Sequence, residues 1–374
     1  MKIAQIAPLI ESVPPKAYGG TERIVAYLTD ELVRQGHEVT LFASGDSCTA
    51  AELVPCAERA LRLASEVRDP LPYYMVQLDR VRRRAHGFDV LHFHVDYLHF
   101  PLFRDRAAHT LTTCHGRLDL PDLSVVHRAF PEFPLVSISD HQRQPCPDWH
   151  WLRTVQHGLP RNPYRFAPGA RDGYLAFLGR ICAEKQPDHA IEIARRAGIP
   201  LKIAAKVDRA DQVYFEEVIR PLLRDPLVEY IGEIGERDKG EFLGGARALL
   251  FPIAWPEPFG LAMIEAMACG TPVIAYPGGS VPEVIEDGVT GFIVDDVAAA
   301  VAALGELDRL DRHLIRARFE RRFTAERMAN DYVAAYSSLR SVLELPLSAG
   351  HLALGSGHAR GVGGDQDQGT VSAA

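Results

Sequence analysis

The sequence predicts an α/β protein with two doubly wound, Rossmann-like parallel sheets that face a cleft. Three observations support this fold class. Short apolar runs alternate with helical patterns, which is typical of parallel sheets whose strands are joined by helices. The alternation is interrupted near 159–173, where breakers such as Pro160 and Pro163 occur without apolar periodicity. The length of 374 residues also exceeds what one hydrophobic core usually holds.

The first half of the chain opens with an apolar strand and a helix that Gly36 ends, as glycine often does at a helix C-terminus. Further short runs of four or five residues predict buried strands. The predicted elements are strands Lys2–Ala7, Glu38–Phe42, Val90–Phe93, Thr110–Thr113, Leu135–Ile138 and Arg153–Gln156, with helices Thr21–Gln35, Tyr74–Arg84 and Asp122–Ala129.

The second half repeats the alternation and ends in a long helical region over Val297–Leu343. These patterns predict a first domain at 1–165, a second at 166–325, a C-terminal helix at 326–345 packing back across the domains, and a disordered Gly-rich tail at 346–374. The predicted elements are strands Tyr174–Leu178, Leu201–Ala205, Val228–Ile231, Ala248–Phe251 and Val273–Ala275, with helices Pro187–Ala197, Gln212–Leu223 and Gly260–Ala268.

The composition excludes several classes of protein. The 41 basic and 49 acidic residues give a net charge of −8, which argues against nucleic-acid binding through overall charge. The six cysteines never form a C-x-x-C pair, so they are expected to be reduced thiols in a cytoplasmic protein. Residues 1–8 predict a strand rather than a signal peptide, and prolines and glycines interrupt the longest uncharged stretch, Ala266–Pro282.

The segment 255–275 holds a strand exit, a loop, a helix and the next strand. Amide groups of Gly260 and Leu261 at the helix start, with the positive end of the helix dipole, are suited to bind phosphate. Glu265 lies more than one turn inside this helix, where its carboxylate can accept hydrogen bonds from a ribose diol. Glu257 lies on the preceding loop, where it can orient a sugar hydroxyl. Taken alone, the two glutamates are more simply ordinary surface acids.

A second strand-to-helix loop supplies positive charge. Arg180 follows the predicted strand Tyr174–Leu178, and Lys185 lies five residues later at the start of a helix. A guanidinium can grip phosphate oxygens as a fork, and an ammonium adds a point charge. Near the N-terminus, Gly19 and Gly20 permit close backbone approach to a phosphate or sugar, although a plain helix-start turn explains them equally well.

Together these segments resemble the family 4 retaining glycosyltransferases, which have the two-domain GT-B fold. The resemblance spans roughly 1–336, and its specificity lies in the order and spacing of the motifs. The motifs are Gly19-Gly20-Thr21-Glu22, Arg34-Gln35-Gly36-His37-Glu38-Val39-Thr40, Phe177-Leu178-Gly179-Arg180 with Glu184-Lys185, the Glu257-to-Glu265 block, and Gly278-Gly279-Ser280-Val281-Pro282-Glu283 with Thr290-Gly291-Phe292.

The resemblance implies a role for each matching residue. Glu257 would be a catalytic residue in contact with the donor sugar. Glu265 would contact the nucleotide ribose, and Arg180 with Lys185 would contact the diphosphate. The loop histidine of the first domain would be His115, a catalytic-site residue near the transferred sugar. The other donor-binding residues would be Gly19, Gly20, Phe259, Gly260 and Leu261.

The function implied is transfer of a sugar, expected to be a hexose, from a nucleotide diphosphate sugar to a hydroxyl acceptor with retention of configuration. The helix start and the two cations can stabilise the leaving diphosphate, so no metal and no cofactor beyond the nucleotide sugar co-substrate are expected. The acceptor is open between a saccharide, a lipid and a small molecule. A catalytically inactive nucleotide-sugar-binding relative is an alternative.

A second alternative is a zinc-dependent hydrolase. His92 and His94 lie on one face of a strand and Asp96 follows, which resembles the H-x-H-x-D opening of metallo-β-lactamase-type hydrolases. The next residue there is a histidine ligand, whereas here it is Tyr97. The simpler interpretation is that these histidines line the cleft and form hydrogen bonds without a metal. A third interpretation, between these two, is that His94 and Asp96 bind the acceptor.

Three further segments carry weaker signals. The basic run Arg80–Arg84 favours a solvated helix face, with peripheral membrane contact through anionic lipid as the alternative. Asp365 and Asp367 form a D-x-D triplet in the predicted flexible tail, so we discount it as a metal-diphosphate site. Gln156-His157-Gly158 departs from the family, which often has Asn before this Gly, and leaves the acceptor side uncertain.

Overall fold

Apolar runs buried on both faces form the strands of the protein, because helices cover both sides of a parallel sheet. Val90–Phe93 and Ala248–Phe251 are each buried along their whole length. The computed structural model describes residues 1–16, 19–162, 164–169 and 173–344, with side chains up to 339. The predicted disordered tail at 346–374, with Asp365 and Asp367, lies outside these residues.

Within the described residues the strands form two sheets. The first sheet has seven strands: β1 (Lys2–Ile6), β2 (Glu38–Ser44), β3 (Glu52–Ala57), β4 (Val90–Phe93), β5 (Thr110–Thr113), β6 (Leu135–Ser137) and β7 (Trp151–Thr154). The second has six: β8 (Leu175–Arg180), β9 (Leu201–Lys206), β10 (Val228–Gly232), β11 (Ala248–Phe251), β12 (Val273–Ala275) and β13 (Gly291–Ile293).

Helices connect these strands and cover the sheets. They are α1 (Gly20–Arg34), α2 (Leu71–Arg84), α3 (Phe100–Phe103), α4 (Leu123–Ala129), α5 (Pro187–Ala197), α6 (Gln212–Tyr214), α7 (Arg220–Leu222), α8 (Glu236–Gly245), α9 (Leu261–Ala268), α10 (Val281–Val284), α11 (Val297–Leu304), α12 (Arg312–Arg322) and α13 (Ala325–Glu344). In α1 the side chains of Ile24, Leu28 and Leu32 recur at helical spacing and are fully buried.

The strand order confirms two doubly wound sheets. The first sheet runs β3-β2-β1-β4-β5-β6-β7 and the second β10-β9-β8-β11-β12-β13. The strand pairs are parallel, with Ile3 opposite Val90 across β1 and β4, and Leu249 opposite Ala176 across β11 and β8. The strand order reverses between β1 and β4 in the first sheet and between β8 and β11 in the second. Ligands of such sheets bind at the carboxyl ends of the two strands that flank the reversal.

The structure differs from the predicted elements in identifiable places. β3, α8 and β13 were not predicted. β3 is a half-exposed edge strand containing Pro55, and α8 contains three glycines. Proline disfavours a strand and glycine disfavours a helix, so both elements depend on tertiary contacts for their stability. The predicted helix Gln212–Leu223 is interrupted by a π-helical turn over Phe215–Ile219. Pro221 follows that turn and lacks the amide hydrogen that a regular helix needs.

The C-terminal helix α13 returns to the first sheet. The Leu159 amide donates to the Phe323 carbonyl at 2.9 Å, and the Ala325 amide donates to the Leu159 carbonyl at 2.9 Å. Beside this junction, a Cβ added to Gly158 would lie 2.2 Å from the Thr324 carbonyl oxygen. The Gln156-His157-Gly158 segment therefore joins the two ends of the fold, and Arg327 of α13 donates to the carbonyl groups of its first two residues.

No helix among the described residues combines the length with the apolar composition that crossing a bilayer requires.

We expect Gly158→Ala to lower the free energy of unfolding by about 1–3 kcal/mol, because its methyl group would overlap backbone atoms that cannot rotate away. Urea unfolding monitored by circular dichroism measures this change. Gly87→Ala is the matched control, since an added Cβ there meets nothing within 4 Å. Equal losses in the two variants would contradict the expected clash.

Candidate functional site

Loops that follow the strands at the two reversals enclose one cavity of about 380 Å³ between the sheets. The first sheet contributes residues that follow β1, β5, β6 and β7, and the second contributes residues that follow β8, β9, β10 and β11. The sequence-predicted residues that line this cavity are Gly19, Gly20, His115, Arg180, Lys185, Glu257, Phe259, Gly260, Leu261 and Glu265.

The loop after β11 holds Glu257 in a defined position. The Glu257 carboxylate pairs with the Lys185 ammonium and accepts a hydrogen bond from the Trp255 indole at 2.9 Å. Gly279 has φ +59°, and a Cβ there would lie 2.2 Å from the Glu257 carbonyl oxygen. The Ser280 amide donates to that same oxygen at 2.9 Å. The Gly278-Gly279-Ser280 motif thus supports the Glu257 loop from behind, a role that sequence spacing did not reveal.

The start of α9 borders the cavity. Gly260 precedes the helix with φ +79°, a left-handed conformation that favours glycine. Its neighbour Phe259 is 2% exposed, and its carbonyl accepts a hydrogen bond from the Ser280 hydroxyl at 2.8 Å. Across the cavity, Gly20 opens α1, and a Cβ there would contact Leu261 at 3.7 Å. Two helix starts, one from each domain, therefore face the same space, where amide groups favour an anion.

Arg180 ends β8 at the cavity wall and lies among acidic side chains. Its guanidinium nitrogens are 3.5 Å from Glu184, 3.7 Å from Asp208 and 3.7 Å from Asp211. These separations exceed the 2.7–2.9 Å typical of charge-assisted hydrogen bonds. Lys206, at the end of β9, also lines the cavity and pairs with Asp208 at 3.0 Å.

Glu265 is engaged by a buried ionic cluster that sequence reasoning missed. Its carboxylate lies 2.5 Å from Arg23 of α1 and 3.0 Å from Lys239 of α8, and it accepts from the Tyr164 hydroxyl at 3.0 Å. Arg23 also pairs with Glu236 at 2.8 Å. The cluster joins the first domain to the second directly beside the predicted ribose site. Arg23 belongs to the predicted first helix, but nothing local in the sequence marks it as buried.

The cluster shifts the pKa of both acids downward. Burial raises the pKa of Glu236, but the charges of Arg23 and Lys239 outweigh burial and hold this pKa at about 2. For Glu265 the same balance between burial and the two cations keeps the pKa below its usual value. Both carboxylates are therefore ionised at neutral pH, and each depends on Arg23 for its compensation.

The histidines lie at different depths behind the cavity. Burial lowers the pKa of His115 to about 3, so its ring is neutral at pH 7. His94 lies behind it, with Nδ1 2.9 Å from His115 Nε2. His92 is fully buried, and its two ring nitrogens contact Tyr336 and Thr113. Asp96 is an exposed residue after β4 with φ +49°.

This arrangement removes the support for a zinc site at His92, His94 and Asp96. Both nitrogens of His92 are already in hydrogen bonds with protein groups, so neither is directed at a metal shared with Asp96. In the part of the chain that the structure describes, no three His, Cys, Asp or Glu side chains are grouped as metal ligands. The interpretation as hydrogen-bonded histidines fits these contacts better.

Comparisons with protein families and known proteins point to one kind of enzyme. Residues 18–171 match the model described as Glycosyltransferase Family 4, and residues 162–317 match the model described as Glycosyl transferases group 1. The chain is similar to the D-inositol 3-phosphate glycosyltransferase of Mycolicibacterium smegmatis, with 27% identity over 86% of this chain and 87% of that protein. It is also 30% identical to the alpha-maltose-1-phosphate synthase of Mycobacterium tuberculosis, over 43% of this chain and 48% of that protein.

Solved structures share the fold at lower identity. The sucrose-phosphate synthase of Thermosynechococcus elongatus superposes with a TM-score of 0.72 and 19% identity, covering 91% of this chain and 99% of that one. The Anabaena protein HepE in complex with UDP and glucose gives a TM-score of 0.69 and 17% identity, covering 90% of this chain and 100% of that one. These likenesses establish the common two-domain architecture.

We expect Arg23→Gln to lower the free energy of unfolding at pH 7 by about 3 kcal/mol, because the buried carboxylate of Glu265 and the half-buried carboxylate of Glu236 lose their main compensating charge. Glu236 titrates near pH 2 in the folded protein and near pH 4.3 when unfolded. Its stabilisation is therefore complete above about pH 5 and is lost as the pH falls toward 2. We expect the native protein to lose more stability than Arg23→Gln over this window.

Urea unfolding at pH 7, 5, 4 and 3 tests both statements. The control is Arg309→Gln, whose side chain is 76% exposed and pairs with an exposed carboxylate, and which we expect to behave like the native protein. An Arg23→Gln variant as stable as the native protein at pH 7 would contradict the role assigned to this cluster.

Proposed function

The chain belongs to the family 4 glycosyltransferases of the two-domain GT-B fold, and from that premise we propose that it transfers a hexosyl group from a nucleotide diphosphate sugar to a hydroxyl acceptor. We further propose that transfer retains the anomeric configuration and needs no divalent metal ion. Enzymes of this group use a nucleotide sugar as co-substrate. The observation that carries the proposal is one cavity to which each domain contributes a helix start. It is lined by several cations and by the four carboxylates of Asp208, Glu233, Glu257 and Glu265.

The diphosphate would lie at the start of α9, between the Gly260 and Leu261 amides and the side chains of Arg180 and Lys185. On binding, Arg180 would exchange contacts of 3.5–3.7 Å with Glu184, Asp208 and Asp211 for charge-assisted hydrogen bonds to phosphate oxygens. The backbone at Gly19 and Gly20 would cover the opposite side. Five of the groups that line the cavity are cationic side chains, which suits an anionic ligand: Arg23, Arg180, Lys185, Lys206 and Lys239.

Glu265 and Glu257 would bind the neutral parts of the donor. Glu265 is 2% exposed and holds Arg23, Lys239 and Tyr164, so a ribose diol would share this carboxylate after a shift of one of these partners. Glu257 would orient the sugar while it fixes the Lys185 ammonium. Phe259, which packs edge-on against His157 with ring centroids 4.9 Å apart, would form part of the apolar wall.

During transfer the bond between the anomeric carbon and the phosphate oxygen breaks, and the acceptor oxygen forms the new bond on the same face. Negative charge grows on the leaving diphosphate, where preorganised amides and cations stabilise it by several kcal/mol. The leaving phosphate accepts the acceptor's proton. His115 is neutral at pH 7 and therefore acts as a hydrogen-bonding group near the sugar. Exclusion of water between the domains limits hydrolysis of the donor.

The acceptor side carries less information. His94 lies behind His115 and contacts it, so it would act on the acceptor only indirectly. Asp96 is exposed after β4 and is the better candidate for contact with an acceptor hydroxyl. The inositol phosphate acceptor in the name of the Mycolicibacterium smegmatis relative makes polyol phosphates a sensible first group of acceptors to test.

The donor should be identified first, by calorimetric titration with UDP-, GDP- and ADP-linked sugars in the presence of EDTA. We expect one base to bind with EDTA present, followed by nucleotide release once an acceptor is supplied. The anomeric proton of the product, observed by NMR, should show the configuration of the donor. Loss of turnover on adding EDTA, or an inverted product, would contradict the corresponding part of the proposal.

We expect Glu257→Ala and Arg180→Ala each to lower kcat/KM by about 100-fold or more, since each removes a group that stabilises the transition state. Arg309→Ala is the control, because that arginine side chain is 76% exposed, belongs to a short helical turn at the surface and does not line the cavity. Near-native turnover in Glu257→Ala would overturn its assignment. Binding without turnover in the native protein, with every acceptor tried, would favour the inactive-relative alternative.

A further inference from the structure

A continuous chain of hydrogen bonds runs from His115 at the cavity wall into the core of the first domain and ends on helix α13. Its links are buried side chains that can each donate one hydrogen bond and accept another. In order they are His115 Nε2 to His94 Nδ1 at 2.9 Å, His94 Nε2 to Gln5 Oε1 at 2.8 Å, Gln5 Nε2 to Tyr336 OH at 3.1 Å, Tyr336 OH to His92 Nδ1 at 2.8 Å, His92 Nε2 to Thr113 Oγ1 at 2.7 Å, and Thr113 Oγ1 to Tyr332 OH at 2.9 Å.

If every link donates one hydrogen bond and accepts one, this series of hydrogen bonds can run in only two directions. Burial lowers the pKa of His92, His94 and His115, so each ring is neutral and carries one N–H and one bare nitrogen. If His115 Nε2 carries the proton, it donates to His94, which then donates to Gln5. If that proton is instead on Nδ1, His94 must donate to His115 and every later bond reverses. The tautomer of His115 is therefore tied to the orientation of the Gln5 amide.

Two observations select the first direction. The Gln5 amide presents its oxygen to His94 and its nitrogen to Tyr336. His115 Nδ1 is shielded from solvent and has no hydrogen-bond partner among the described residues. In the reversed direction this nitrogen would carry an unpaired buried N–H, and such orphaned donors are rarer in proteins than unpaired acceptors.

We propose that Gln5, His94, Tyr336 and His92 are positioning residues that hold His115 in the Nε2–H tautomer. The second nitrogen of His115 is then a bare acceptor rather than an unpaired buried N–H, and the ring keeps one orientation at the cavity wall. Helix α13, which contributes Tyr336 and Tyr332 from the end of the described chain, thereby acts on the chemistry of a loop in the first domain. The consequence for turnover rests on the proposed function, whereas the tautomer itself does not.

A matched pair of variants on α13 separates positioning from packing. Tyr336→Phe removes the hydroxyl between Gln5 and His92. Tyr332→Phe removes the hydroxyl that contacts Thr113, at the end of the hydrogen-bond chain farthest from His115. Both tyrosines are fully buried on the same helix, so each variant loses one buried hydroxyl. Nitrogen-15 NMR of the full-length protein, labelled at histidine, distinguishes protonated from bare ring nitrogens, and His115→Asn identifies the His115 signals.

In the native protein and in Tyr332→Phe we expect His115 as the single Nε2–H tautomer. In Tyr336→Phe we expect a mixture of the two tautomers, because the Gln5 amide no longer has a hydroxyl that fixes its orientation. If Tyr336→Phe does not fold, Gln5→Leu breaks the chain one link closer to His115 and should give the same mixture. An Nδ1–H tautomer in the native protein, or equal mixtures in Tyr332→Phe and Tyr336→Phe, would overturn the proposal.

Kinetics then test the consequence for transfer. We expect kcat/KM to fall roughly tenfold in Tyr336→Phe and to stay within about twofold in Tyr332→Phe, the size of effect expected from one hydrogen bond. The NMR result needs no nucleotide sugar. A native protein with the expected tautomer but without transferase activity would therefore reject the proposed function and leave the positioning chain intact, and a native transferase with the other tautomer would do the opposite.

Discussion

The parallel order of the strands is the constraint on which the rest of this structure depends. Because the connections in both sheets reverse beside the first strand, the loops after β1, β8 and β11 open at the reversal points. Residues as distant in sequence as Gly20 and Leu261 thus approach each other across one cavity. Each loop alone is an ordinary strand-to-helix connection, and only their convergence creates the cavity that we propose binds a nucleotide diphosphate.

Within that space the protein compensates its own charges. Arg23 lies between Glu265 and Glu236, Lys185 pairs with Glu257, and Arg180 lies among three carboxylates. A nucleotide diphosphate would therefore exchange one set of ionic partners for another, rather than enter an uncompensated positive pocket. Such exchange limits the cost of holding several cations together when no ligand is bound.

The C-terminal helix connects this cavity to the core. Hydrogen bonds at Leu159 anchor the start of α13, and Tyr332 and Tyr336 satisfy buried polar groups beneath the first sheet. Buried histidines are costly unless their nitrogens are paired, so the helix stabilises the first domain as well as completing it. The same pairing explains why His92 and His94, which in sequence resemble the opening of a zinc motif, are parts of a hydrogen-bonded network.

Sequence alone determined the features that depend on local chemistry. Apolar periodicity located strands such as Val90–Phe93 and Ala248–Phe251 at their observed bounds, since burial on both faces leaves a clear signal. The order of the motifs identified the family, and ten of the predicted site residues line one cavity.

Tertiary structure alone decided the rest, because those features depend on which distant groups meet. Nothing near Arg23 in the sequence reveals that Glu265 lies 2.5 Å away, or that Gly279 supports the backbone of Glu257. The edge strand β3 and the glycine-containing helix α8 likewise form against their local propensities. Local patterns specify which residues can carry charge or bend the backbone, whereas packing across domains determines which partner each one finds.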